Sequence, residues 1–123
     1  MKPPEPVNIS VPAILFTINR TFRDNMSANE MYEATRGVWV LDRKRAEKAQ
    51  FVMAVKDGVV KEVYVPERWM DAGTQAYSSR DATKFDKGRS EFSGPLASNE
   101  IRNRYREQWV GKRGRNPVRY ENL

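Results

Sequence analysis

The stretch FVMAVKDGVVKEVYVP, residues 51–66, constrains the fold more than any other part of the chain. FVMAV is a continuous apolar run suited to a central strand, and VVKEVYV returns with β-branched and aromatic residues. Asp57-Gly58 between them supplies the two left-handed positions of a type I′ turn. Pro66 then stops the second strand, because it has no N–H to give to a ladder. The sequence therefore predicts a hairpin, and the remaining elements have to be arranged around it.

Upstream, AILFTIN (13–19) reads as a buried strand. Ser27 and Glu30 have the spacing of a capping box, so a helix is expected from about Ala28 to Thr35. Gly37 is expected to end it in the left-handed position. VWVLD follows as a brief extended segment, and Asp42 can cap a short helix through RKRAEKA. Residues 70–89 have little periodicity and much turn chemistry, which predicts a long irregular loop. SEFSG suits a further strand. Ser98 or Asn99 caps a last helix, with Ile101, Tyr105 and Trp109 at i, i+4 and i+8. Strands broken by peripheral helices, without βαβ alternation, give an α+β class: a small mixed sheet or partly closed barrel with three short helices. With 123 residues, residues 11–123 are expected to form one globular domain behind a flexible lead-in, 1–10, that holds three prolines.

Composition narrows the chemistry. The chain contains no cysteine and no histidine, which removes disulfides, thiolate metal sites, cysteine nucleophiles and the commonest general base. Carboxylate pairs such as Glu30 with Glu33, or Glu62 with Glu67, match no acid–base or metal spacing, and GKRG at 111–114 is not a phosphate-binding P-loop. The expectation is a protein without catalytic residues, cofactor or metal. No run approaches the ~20 apolar residues of a membrane helix, and the start has no signal-peptide core, so a cytoplasmic protein is expected.

The net charge of +6 is uneven. Residues 101–123 hold Arg102, Arg104, Arg106, Lys112, Arg113, Arg115 and Arg119 against Glu107 and Glu121, whereas the first hundred residues are nearly balanced. A localised positive field favours an anionic partner. Arg102, Arg106, Lys112, Arg113, Arg115 and Arg119 are the candidate phosphate contacts, with a solvated helix face and a frayed tail as the alternative. Trp109, Val110, Val118 and Tyr120 lie inside this run, and Pro117 sets an extended shape before it. NPVRY is therefore expected to fold back onto the domain. Arg36 and Trp39, on either side of the helix end at Gly37, could line a pocket that stacks a base and pairs with phosphate. In the alternative, Trp39 is core and Arg36 satisfies helix carbonyls. Trp69 could be a pocket wall or could close the end of the sheet.

Three stretches, MYEATRGVWVLDRKRAEKAQFVMAV, GVVKEVYVPERW and IRNRY with NPVRY, resemble a group of short bacterial and phage proteins that share a YEATRG-W helix end, a GVV-EVY hairpin and a terminal NP-RY. In element order the chain is also similar to the PUA-like superfamily, including its ASCH and EVE families. Those are small mixed barrels that bind RNA or modified DNA bases in an aromatic pocket. The resemblance implies a pocket near Tyr32, Arg36, Trp39 and Trp69, closed by Asn116 and Tyr120. This sequence departs from the group in carrying the basic GKRGR before its NP step.

The function expected from these readings is a non-catalytic nucleic-acid- or nucleotide-binding module. The alternative is a phage or accessory factor that docks its basic face on an acidic protein. The unpaired edge of so small a sheet could also build a homodimer.

Overall fold

The computed structural model describes residues 5–75, 88–112 and 114–123. The hairpin is formed by β3 (Phe51–Lys56) and β4 (Val59–Tyr64). Asp57 and Gly58 have φ values of 50° and 80°, as the turn demands. Gly58 is required for a second reason: a Cβ there would run into the ring of Trp109. Strand β1 (Ala13–Thr17) lies parallel to β3, with Ala13 opposite Phe51 and Thr17 opposite Val55. A parallel pair needs a long crossover. That crossover holds α1 (Ala28–Arg36), β2 (Gly37–Trp39) and α2 (Arg43–Ala46).

The basic end folds back as expected. Val118–Glu121 forms the final strand, β7, antiparallel to β1 on its free side. The first sheet therefore runs β4-β3-β1-β7. With a neighbour on either side, β1 buries Ala13 to Phe16 without interruption, which is why its sequence is apolar rather than alternating. β5 (Arg68–Asp71) and β6 (Ser90–Ser93) join β2 in a second sheet, ordered β2-β6-β5. The class is α+β with two small sheets and, among the described residues, three helices. The strands do not close into a barrel: β1 and β3 bond within one sheet and β2, β6 and β5 within the other.

Two cores follow from the alternation along β1 and β3. Leu15, Met53, Val55, Val60 and Val63 pack on one side with Tyr105 and Val110. Ile14, Phe16 and Val52 pack on the other side with Tyr64 and Phe92. Each fully buried side chain of this size contributes about 1.5–3 kcal/mol.

Several sequence expectations need correction. The capping box is present, with Glu30 N–H donating to Ser27 Oγ at 3.0 Å and Ser27 N–H to Glu30 Oε1 at 3.1 Å. Gly37, however, is extended (φ −163°, ψ 166°) and leads straight into β2. The second helix is a single turn beyond Asp42, whose Oδ1 accepts from the N–H groups of Lys44 and Arg45. The expected loop over 70–89 begins too early, since Met70 and Asp71 belong to β5; Pro66 ends β4, but the chain re-enters an extended form two residues later and pairs Trp69 with Phe92. Helix α3 (Asn99–Tyr105) is capped by Ser98 and stops before Trp109, because Arg106 is extended and Glu107 has φ 64°. Trp109 instead bridges Val59 and covers Gly58. Over its described part the lead-in is packed: Ile9 is buried and Val7 N–H donates to Trp109 O at 2.8 Å. Most of the expected loop, residues 76–87, lies outside the described residues.

Candidate anion-binding crevice

A crevice of about 670 Å³ opens where β1 and β3 end and β7 begins. It lies beyond the carboxyl ends of the two parallel strands, the place where ligands enter open sheets of parallel strands. Five chain segments build its walls.

The first is the exit of β1, Thr17 to Thr21. Ile18 N–H donates to Val55 O at 2.9 Å, and Phe22 N–H turns back to Ile18 O at 2.7 Å. This turn exposes Arg20 at the rim. The second segment is the hairpin turn. Asn19 clamps it from both sides, with Nδ2 donating to Asp57 Oδ1 and Oδ1 accepting from Asp57 N–H, both at 3.0 Å. The third is the entry to β7. Asn116 Oδ1 accepts from Val118 N–H at 2.9 Å, and Pro117 O accepts from Thr17 N–H at 2.8 Å. The fourth is the corner after α1, with Ala34, Gly37, Val38 and Trp39. Arg89 is the fifth, and the 111–115 stretch continues the third.

Among the described residues, the lining carries Arg20, Arg89, Lys112, Arg115 and Arg119 against a single carboxylate, Asp57. These cations are not equivalent. Arg119 is fixed: Nε donates to Glu121 Oε1 at 2.7 Å and Nη1 to Gly111 O at 3.1 Å. Arg89 reaches Val38 O at a long 3.5 Å, and Lys112 stands 4.0 Å from Asp57. Arg20 and Arg115 are exposed and hold no ion pair or hydrogen bond among the described residues. Asp57 is well engaged. A hydrogen bond from Lys56 at 3.1 Å, followed by the charges of Lys56 and Lys112 and the Asn19 amide, holds its carboxyl below the usual carboxylate range. Trp39 forms a fixed apolar wall. It is half-buried, stacks on Phe16 at 4.4 Å with 7° between the planes, and donates Nε1–H to Thr35 O at 2.8 Å.

The six pocket residues expected from the sequence are divided by the structure. Trp39 and Asn116 line the crevice, and the other four do not. Tyr32 points into the second core, near Tyr64 and Phe92, and its hydroxyl accepts from Gly94 N–H at 3.2 Å. Arg36 is buried beside Glu91 at 3.5 Å. Trp69 packs on Phe92 with ring centres 5.4 Å apart. Tyr120 accepts from Asp42 N–H at 2.8 Å and lies under the guanidinium of Arg45. Among the six phosphate candidates, Lys112, Arg115 and Arg119 line the crevice, and Arg113 lies outside the described residues. Arg102 and Arg106 are elsewhere, both on Glu62. Arg102 makes two bonds to it, at 2.8 and 3.0 Å, and Arg106 Nε stands 3.7 Å away.

Sequence reasoning missed Arg20, Arg89 and Asp57. A signal existed for Arg20, since a charged residue directly after a buried strand marks the strand's mouth. Nothing in the sequence joins Arg89 to Val38. It also missed Glu91, a fully buried carboxylate that accepts from Gly73 N–H at 2.7 Å and from Gln75 N–H and Nε2–H at 2.9 Å.

No protein-family profile, curated protein or solved structure matches the chain.

Proposed function

We propose that the protein is a nucleotide- or nucleic-acid-binding module, with phosphate held in the crevice and a base laid against Trp39. The observation that carries this reading is the convergence of cations from three separate chain segments on a cavity that has, among the described residues, one carboxylate, already engaged. Folding such a set together with fewer counter-charges than cations costs free energy through mutual repulsion, and an anionic ligand removes that cost. Guanidinium groups bind phosphate through paired N–H donors. A base stacked on an aromatic ring adds about 1–3 kcal/mol, and Trp39 loses little entropy in the process because it is already fixed.

Titration with a panel of nucleotides and single-stranded oligonucleotides at 50 and 200 mM salt tests the reading. Reversing both rim charges, Arg20→Glu with Arg115→Glu, should weaken binding by roughly a hundredfold, about 2.7 kcal/mol. Arg106→Gln, on the other face, should change it less than about twofold. Equal losses from both variants would dissociate binding from the crevice, and no binding by any member of the panel would overturn the proposal.

A further inference from the structure

Resting on that reading, we infer that the crevice takes a free nucleoside di- or triphosphate rather than a nucleic-acid strand. Three observations converge on this ligand.

The first is the shape of the positive field. A surface that follows a strand needs cations set out along a track. In this chain the obvious track is the arginine-rich flank of helix α3, where Arg104 bonds Ser10 Oγ at 2.7 Å and the other two arginines meet a carboxylate. Arg102 and Arg106 share Glu62, and Lys61 bonds Glu107 at 3.2 Å. Arg20 and Arg115 gather instead with Lys112 and Arg89 around one concavity, whose volume of about 670 Å³ suits a single small ligand.

The second is the polarity of the free groups. Arg20, Arg115 and Lys112 can only donate. Asn116 has its carbonyl engaged by Val118 N–H, which leaves the donor amide. The carboxylate among the described lining residues, Asp57, is taken by Lys56 and Asn19. A rim made of donors matches a ligand made of acceptors. A base edge mixes both, whereas a phosphate chain offers acceptors alone.

The third is charge. Among the described residues, five cations and one carboxylate line the cavity, and Arg119 is already paired with Glu121, which leaves four cations against Asp57. A single phosphate ester carries about 1.5–2 negative charges, so matching this excess needs more than one phosphate on the same ligand. Trp39 in the same lining then gives the nucleoside an apolar surface. With Asp57 engaged, the arginines and Lys112 themselves neutralise the chain, and binding is expected to proceed without a divalent cation.

Isothermal titration of the full chain in EDTA decides the matter, with AMP, ADP, ATP, tripolyphosphate and an oligonucleotide of about twelve nucleotides as probes. The expected result is one-to-one binding that tightens at least tenfold from AMP to ATP. ATP should exceed tripolyphosphate by at least threefold, and the oligonucleotide should not displace it. Arg20→Gln and Arg115→Gln should each lower ATP affinity by roughly tenfold while leaving AMP within about threefold. Both side chains are exposed, so melting curves should be unchanged. Oligonucleotide binding that ATP cannot displace would overturn the inference and leave the nucleic-acid reading standing. Tripolyphosphate binding as tightly as ATP would overturn the nucleoside part. Failure of every probe would remove this inference and the reading beneath it together.

Discussion

Two parts of the molecule are equally rich in arginine and have opposite electrostatic fates. On the α3 flank, Arg102 meets Glu62 in a paired geometry, and Arg106 approaches the same carboxylate. At the crevice rim, Arg20 and Arg115 face solvent without a partner among the described residues. The flank uses its charge to hold a helix to a strand, so it is part of the scaffold. The rim leaves its charge available. Clustered arginines in a sequence therefore locate a binding surface only after the carboxylates that fold against them have been found.

Gly58 is where the two regions touch, since it lines the crevice and also carries Trp109 from the end of the flank. Gly58→Ala tests whether they are mechanically joined. An alanine at φ 80° costs about 1–2 kcal/mol, and its methyl group would meet the Trp109 ring, at a further 1–3 kcal/mol of overpacking. A loss of about 2–5 kcal/mol in urea unfolding is expected. A loss below about 1 kcal/mol would show that Trp109 swings away freely and that the two regions are independent.

Glu62→Gln separates scaffold charge from free charge more directly. It removes the carboxylate from a partly buried pair and leaves two guanidinium groups facing a neutral amide. Destabilisation of about 1.5–3 kcal/mol is expected, as for hydrogen bonds to charged groups. The freed arginines should also bring a new, salt-sensitive affinity for oligonucleotides, which filter binding at two salt concentrations would detect. If stability and nucleic-acid affinity both stay unchanged, the flank is no more locked than the rim.

The flank side also carries a pH response. Burial, helped by the nearby Glu62 charge, pushes the Tyr64 phenol far above its ordinary value of 10.0. The folded state keeps this phenol protonated while the unfolded chain releases the proton. Stability is therefore full below pH 10 and falls as pH rises beyond it, by up to about 1.4 kcal/mol per pH unit for one proton. Chemical unfolding between pH 9 and 11 should show this slope, and Tyr64→Phe should reduce it. An unchanged slope in the variant would assign alkaline sensitivity to another group.

The contrast also explains what could be read from the sequence. The hairpin, the capping box at Ser27 and the returning NPVRY strand are local signals: turn residues, a three-residue spacing, and apolar side chains too numerous for a loose tail. They were legible because each needs only its neighbours. β5 was not, since RWMD gains its strand form from pairing with SEFS some twenty residues later. The candidate site was half legible for the same reason. Trp39, Lys112, Arg115 and Asn116 announced themselves by residue type. Yet Tyr32, Arg36 and Trp69, with the same side-chain types, were drawn into the second core by Phe92, Tyr64 and Glu91. Which aromatic faces a cavity and which faces another aromatic is settled by long-range packing.

Asp57→Asn gives the smallest effect and the sharpest reading of the rim. Asparagine suits a left-handed turn position as well as aspartate does, so the hairpin should lose less than about 0.5 kcal/mol. Its side-chain oxygen can still accept from Asn19, which keeps the clamp closed. What changes is charge: the only carboxylate among the described lining residues disappears and Lys112 is released from it. Affinity for a phosphate ligand should therefore rise about two- to fivefold at 50 mM salt, and the gain should shrink at 200 mM as screening grows. The wild type and the variant should converge only in acid well below the ordinary carboxylate value of 3.8. The wild-type carboxyl is held low by Lys56 and loses its charge only when pH falls through that depressed value. A rise in affinity that ignores salt would point to reshaping of the turn rather than to charge, and the rim would then bind by fit instead of by field.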